Sequence, residues 1–95
     1  MSSTTAGPFK QVLMYSTRYC PFCIRARALL ESKGVPCEDV RVDEHPWRRR
    51  EMMEKSNRYT VPQIWIGEKH IGGCDELFAL EREGRLDEEL RVEHA

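Results

Sequence analysis

Hydrophobic and polar positions change rhythm repeatedly along this chain, and each change marks an element. Lys10–Ser16 alternates and is rich in β-formers (Val12, Leu13, Met14, Tyr15), which predicts a short buried strand. Pro21–Lys33 then switches to helical spacing. It places Cys23, Ala26, Leu29 and Leu30 toward a core and its arginines outward, and Gly34 is the stop. Val35-Pro36 returns the chain to an extended course, and Cys37–Asp43 alternates again around Val40 and Val42 as a second strand. Strand, helix and strand within about thirty residues make a βαβ unit.

The second half continues in the same register. A helix is predicted over Pro46–Lys55, with Pro46 near its start and Trp47 and Met53 among its apolar residues; Ser56-Asn57 ends it. Tyr59–Ile66 contains a third strand that must begin at Pro62, because proline is excluded from a sheet's middle. Gly67-Glu68-Lys69 connects to a fourth strand, His70 and Ile71, which ends at Gly72-Gly73. Cys74-Asp75-Glu76 opens a helix reaching Glu83, with Asp75 as the N-cap candidate, Leu77 and Leu80 inward and Gly84 as its stop. Leu86–Leu90 adds a further helical turn. The implied organisation is a flexible arm (1–9), one α/β domain (10–90) and a frayed tail (91–95), without repeats.

Composition narrows the function classes. Ninety-five residues support one domain with a single modest core. With 40% hydrophobic and 33% charged residues and a net charge of −1, nothing asks for nucleic acid or a membrane as partner. Arg48-Arg49-Arg50 is bracketed by Asp43, Glu44, Glu51 and Glu54, so it reads as a solvated helix face. No apolar run approaches the length of a membrane span, and Met1–Pro8 is small and polar with no signal-peptide core. A cytoplasmic site is the expectation.

Four cysteines carry the candidate chemistry. A secreted disulfide scaffold would need a signal peptide and denser cysteine. Structural zinc would need a second close pair, whereas Cys37 and Cys74 stand alone and His45 and His70 are scattered; no metal is expected. Cys37 reads as a small buried hydrophobe in a strand. Cys20-Pro21-Phe22-Cys23 is different, because it falls where the strand gives way to the helix. Residues three apart on a helix have Cβ atoms roughly 5–6 Å apart, within easy adjustment of disulfide distance. The first turn's unpaired N–H groups and the helix dipole favour an anion at Cys20, which makes it the attacking thiolate and Cys23 the resolving thiol. Pro21 suits the first helical position, where no N–H is missed. Arg18 and Arg25 are nearby cations that could add to the thiolate's stabilisation, or, for Arg25, simply solvate a helix face.

Taken together, Cys20-Pro-Phe-Cys23, Thr60-Val61-Pro62-Gln63 and Gly72-Gly73-Cys74-Asp75, in this order and at these separations, resemble the glutaredoxin family over about Lys10 to Leu90. The resemblance implies the thioredoxin fold, a four-stranded mixed sheet flanked by three or more helices (β-α-β-α-β-β-α). It also implies a glutathione-dependent oxidoreductase that reduces protein–glutathione mixed disulfides and protein disulfides. Under it, Cys20 takes glutathione as a mixed disulfide and Cys23 closes the intramolecular disulfide. Thr60, Val61 and Pro62 resemble the family's cis-proline loop, where Val61 offers its main-chain N–H and C=O to the cysteinyl part of glutathione. Gly73, Cys74 and Asp75 resemble the site of the γ-glutamyl end, where a helix N-terminus meets a carboxylate. Many members carry a lysine three residues before the nucleophile. Here that position is Thr17, which leaves Arg18 or Arg58 to meet the glycine carboxylate. Phe22 stands where tyrosine is common and keeps the aromatic surface.

The implied partners are glutathione and disulfide-bonded or glutathionylated proteins, and the expected state is a monomer. Two rivals differ in class. One is an iron–sulfur carrier in which Cys20 thiolates of two subunits and two glutathiones hold a [2Fe–2S] cluster; proline after the nucleophile resembles the redox-active branch instead. The other is a redoxin fed by thioredoxin reductase, against which the complete glutathione-like loop set argues.

Overall fold

The computed structural model describes residues 9–92, so the arm expected over Met1–Pro8 and the last three residues lie outside it. Within these bounds the elements are β1 (Val12–Ser16), α1 (Pro21–Ser32), β2 (Cys37–Arg41), α2 (Pro46–Ser56), β3 (Gln63–Ile66), β4 (Lys69–Gly72), α3 (Cys74–Arg82) and α4 (Leu86–Leu90). The sheet runs β2-β1-β3-β4: β1 lies parallel to β2 and antiparallel to β3, and β4 is antiparallel to β3.

The alternation read from β1 decides the layering. Successive strand side chains point to opposite faces. Val12 and Met14 therefore join Ile64 and Ile66 of β3 in one cluster with Ala26, Leu30, Leu77, Leu86 and Leu90 from α1, α3 and α4. Tyr15 and Trp65 turn the other way and pack with Val40, Val42 and Met52 under α2. The central strands are thus covered on both sides. Leu30 is fully buried in the first cluster. We expect Leu30→Ala to cost about 2–5 kcal/mol, seen as a lower urea midpoint at unchanged m value.

α1 buries Cys23, Ala26 and Leu30, one stripe at helical spacing, while Leu29 is half-buried at its margin. It ends in a Schellman motif. Gly34, at φ +72°, donates its N–H to Glu31 and the next residue, Val35, donates to Leu30. Gly84 closes α3 the same way, with bonds from Gly84 to Glu81 and from Arg85 to Leu80. Beneath α1, Asp39 of β2 accepts the Ser16 hydroxyl and pairs with Arg27 at 2.6 Å, tying β1, β2 and α1 together.

Two details differ from the sequence reading, and α2 gains an orientation that the sequence left open. On α2 the inward residues are Met52 and Ser56, while Trp47 and Met53 face solvent. Arg48, one turn before Met52, lies across the Tyr15 ring at 5.9 Å and bonds Glu51 at 3.5 Å, so the arginine run is not wholly a solvated face. Phe9 and Arg91, which the sequence puts in the arm and the tail, pair as an isolated antiparallel bridge, and Phe9 packs on the first cluster.

Candidate active site

Cys20 is the N-cap residue of α1. Its backbone is extended (φ −98°, ψ 110°), and its Sγ accepts the Cys23 N–H at 3.2 Å. The sulfur is therefore an acceptor for one of the helix's orphan donors, a position where negative charge is stabilised. Pro21 occupies the first helical position, as the motif requires. Cys23, one turn in, is fully buried. Burial and the neighbouring Cys20 sulfur push its thiol up to about 12, so it stays protonated. All four cysteines are free thiols.

The second wall is the segment before β3. The Val61–Pro62 peptide bond is cis, and the Cys20 sulfur lies 4.0 Å from the Val61 carbonyl oxygen. The β1–β3 ladder begins at Gln63, so Val61's own N–H and C=O lie outside the ladder and next to the thiol. Gln63 is buried and ties the segment down: its Nε2 donates to the Thr60 carbonyl at 3.0 Å and to Thr60 Oγ1 at 3.3 Å. Its Oε1 meets His70 Nε2 at 2.7 Å, and that imidazole stacks on Trp65 with centroids 4.5 Å apart. Burial, and then the Arg58 charge, hold His70 below its ordinary range, so the neutral ring donates from Nε2.

The third wall is the start of α3, whose N-cap is Gly73 and not Asp75. Asp75 sits within the first turn, and Glu76 reaches back to accept the Gly73 N–H at 2.6 Å. That is half of a capping box, with a glycine where the capping side chain would be. Phe22, Arg58, Thr60, Val61, Pro62, Gln63, Gly73, Cys74, Asp75 and Glu76 line one cavity of about 230 Å³. It is an open trough suited to an extended chain.

Among the residues singled out from sequence, Cys20 adjoins this lining through Val61 without being part of it, and Arg18 is not in it. Its side chain turns to Glu44 at 3.4 Å, and its N–H is bonded to Asp43 at 3.1 Å. Arg25 stacks on the Phe78 ring at 5.3 Å, linking α1 to α3. Arg58 lines the cavity and pairs with Glu76 at 3.5 Å. Cys74 is buried, which raises its pKa, whereas Cys37 is half-buried and its thiol is pushed up to about 11. Gln63 and Glu76 were missed as site residues. Gln63 closes the Thr60-Val61-Pro62-Gln63 motif, and Glu76 lies three residues after the cap, the spacing of a capping box.

A pH consequence follows from these thiols and from Tyr15, which burial and the Glu51 hydrogen bond raise to about 12. Each group holds its proton more tightly folded than unfolded. Their contribution is fully present below about pH 9 and is lost as pH rises toward 11–12, because the unfolded chain releases protons first. Urea midpoints should therefore fall between pH 8 and pH 10.5, with a shallower fall in Cys23→Ser; a flat profile would contradict this account.

A capped, half-buried thiol, a buried cysteine one turn on and a cis-proline segment beside them make a candidate thiol–disulfide exchange site on a thioredoxin fold. The chain belongs to the glutaredoxin family: the family's sequence model, "Glutaredoxin", matches residues 12–71. A glutaredoxin of Pseudomonas aeruginosa is 54% identical over 76 residues, spanning 80% of this chain and 90% of that one. The solution structure of a Brucella melitensis glutaredoxin superposes with a TM-score of 0.79 at 46% identity, covering 92% of this chain and 95% of the other. A buckwheat glutaredoxin–glutathione complex superposes with a TM-score of 0.79 at 28% identity, covering 85% and 76% respectively. The activity of this chain is thiol–disulfide oxidoreduction.

Proposed function

We propose that this chain uses glutathione as its reductant and acts on protein–glutathione mixed disulfides and on protein disulfides, in a glutathione-rich cytoplasmic compartment. The observation that carries this is the Cys20 sulfur lying 4.0 Å from the carbonyl oxygen of Val61, whose unladdered backbone lines one trough together with the N-terminus of α3. The trough offers what a γ-glutamyl tripeptide presents a need for. Val61's N–H and C=O can pair with a peptide backbone in strand fashion. The first turn of α3 has N–H groups for a carboxylate, and Asp75 can take an ammonium. The likeness to a glutaredoxin–glutathione complex supports the same ligand.

Cys20 thiolate attacks the glutathione sulfur of a mixed disulfide; the S–S bond breaks and the protein thiolate leaves, to be protonated. A second glutathione thiolate then attacks the Cys20-bound glutathione sulfur, frees Cys20 and yields glutathione disulfide. For a protein disulfide, Cys20 forms the mixed disulfide and Cys23 displaces the second protein thiol, leaving Cys20–Cys23 oxidised until two glutathiones reduce it. Holding one partner oriented beside the thiolate is where rate is gained.

Release of glutathione from a glutathionylated protein, regenerated by NADPH and glutathione reductase, should proceed at least tenfold faster than with thioredoxin reductase in its place. Equal or preferential use of thioredoxin reductase would overturn the glutathione reading.

A further inference from the structure

Among the described residues, Arg58 is the trough's cationic side chain, and it is not free. Its Nη1 lies 3.5 Å from Oε1 of Glu76, the same oxygen that accepts the Gly73 N–H at 2.6 Å. Glu76 is thus pinned from one side by the α3 cap and faces Arg58 on the other. Both side chains are 46% exposed, so the ion pair is weak and open to exchange, while the short bond to Gly73 holds the carboxylate in place. The Gly73 N–H and Arg58 together keep Glu76 ionised, its pKa lowered below the usual carboxylate range.

A glutathionyl group brings two carboxylates into this trough. One that seeks Arg58 meets a protein carboxylate already there. We propose that Glu76 is a specificity-determining residue, an internal carboxylate that occupies Arg58 in the empty site and must yield it to a carboxylate of the incoming glutathionyl group. This rests on the glutathione reading above and adds to it a built-in competitor. The exchange sets affinity: ligands without a well-placed carboxylate leave the Arg58–Glu76 pair intact, and ligands with one bind against Glu76.

The test is a double-mutant cycle on the full chain with a glutathionylated peptide as substrate and glutathione as reductant, comparing wild type, Glu76→Gln, Arg58→Gln and the double variant. Glutamine keeps the acceptor for the Gly73 N–H, and urea midpoints verify that α3 is still held. Glu76→Gln should lower KM for the peptide about two- to fivefold, the change falling on KM and not on kcat, while Arg58→Gln raises KM. In the Arg58→Gln background the Glu76→Gln effect should vanish, because the competitor has nothing left to occupy. A KM that rises in Glu76→Gln would show that Glu76 binds the substrate's ammonium, and an equal fall in both backgrounds would show general charge repulsion; either overturns the proposal. Esterifying the glycine carboxylate of the substrate identifies which carboxylate takes Arg58: coupling lost assigns glycine, coupling kept assigns the γ-glutamyl end. A wild-type chain without glutathione-dependent turnover would bring down the functional reading and the competitor with it. Turnover with no coupling would remove the competitor alone.

Discussion

Replacing Cys20 by serine should abolish both the glutathione-dependent and the protein-disulfide reactions, with a fall of at least about three orders of magnitude toward the uncatalysed rate. A hydroxyl at this position cannot supply the sulfur–sulfur bond on which either reaction turns. The structure makes the experiment unusually clean. Cys20 caps α1 through its side chain, and serine is among the best residues for that task. The variant should therefore keep its fold, with a urea midpoint equal to or above that of wild type. Activity and stability measured together separate chemistry from structure. Residual turnover above background with the fold intact would show that the nucleophile has been misplaced.

How far the sequence foretells such a site depends on the range of the interactions. The strand alternation in β1 and the stripe on α1 were legible because each element's period and its burial have one cause. Cys20 at a helix start was legible for the same reason: Pro21 and the preceding strand leave the chain little choice. The arginines were not. Arg18 and Arg58 are equally close in sequence to motif residues, yet one reaches Glu44 and the other Glu76. A long flexible side chain settles on whichever acid another element brings near, and that information is tertiary. The cap of α3 was missed by two residues because Glu76 satisfies the Gly73 N–H from inside the helix, so that a residue without a side chain suffices at the cap. On α2, sequence drew attention to Trp47, the larger apolar residue. The face toward Tyr15 and Trp65 is instead set by Met52 and the stem of Arg48.

Cys23→Ser divides the two reactions. With a glutathionylated peptide we expect the variant to retain activity within about threefold of wild type, because that route uses Cys20 and a second glutathione alone. Reduction of an intramolecular protein disulfide should fall by about a hundredfold, since the mixed disulfide with Cys20 loses the oriented neighbour that resolves it. The electrostatics explain why this neighbour does not interfere earlier. Burial and the Cys20 sulfur push the Cys23 thiol up to about 12, so it is held protonated and inert while Cys20 is unreacted. Once Cys20 is bonded to a substrate sulfur, the influence of its free sulfur on Cys23 is gone, while burial, the largest influence, and the Asp39 charge remain. On the proposed mechanism, the step that Cys23 must follow is thus the one that eases its ionisation. Wild-type rates of protein-disulfide reduction in Cys23→Ser would mean that external glutathione resolves the mixed disulfide as fast as a thiol one helical turn away, and the buried cysteine would then need another explanation.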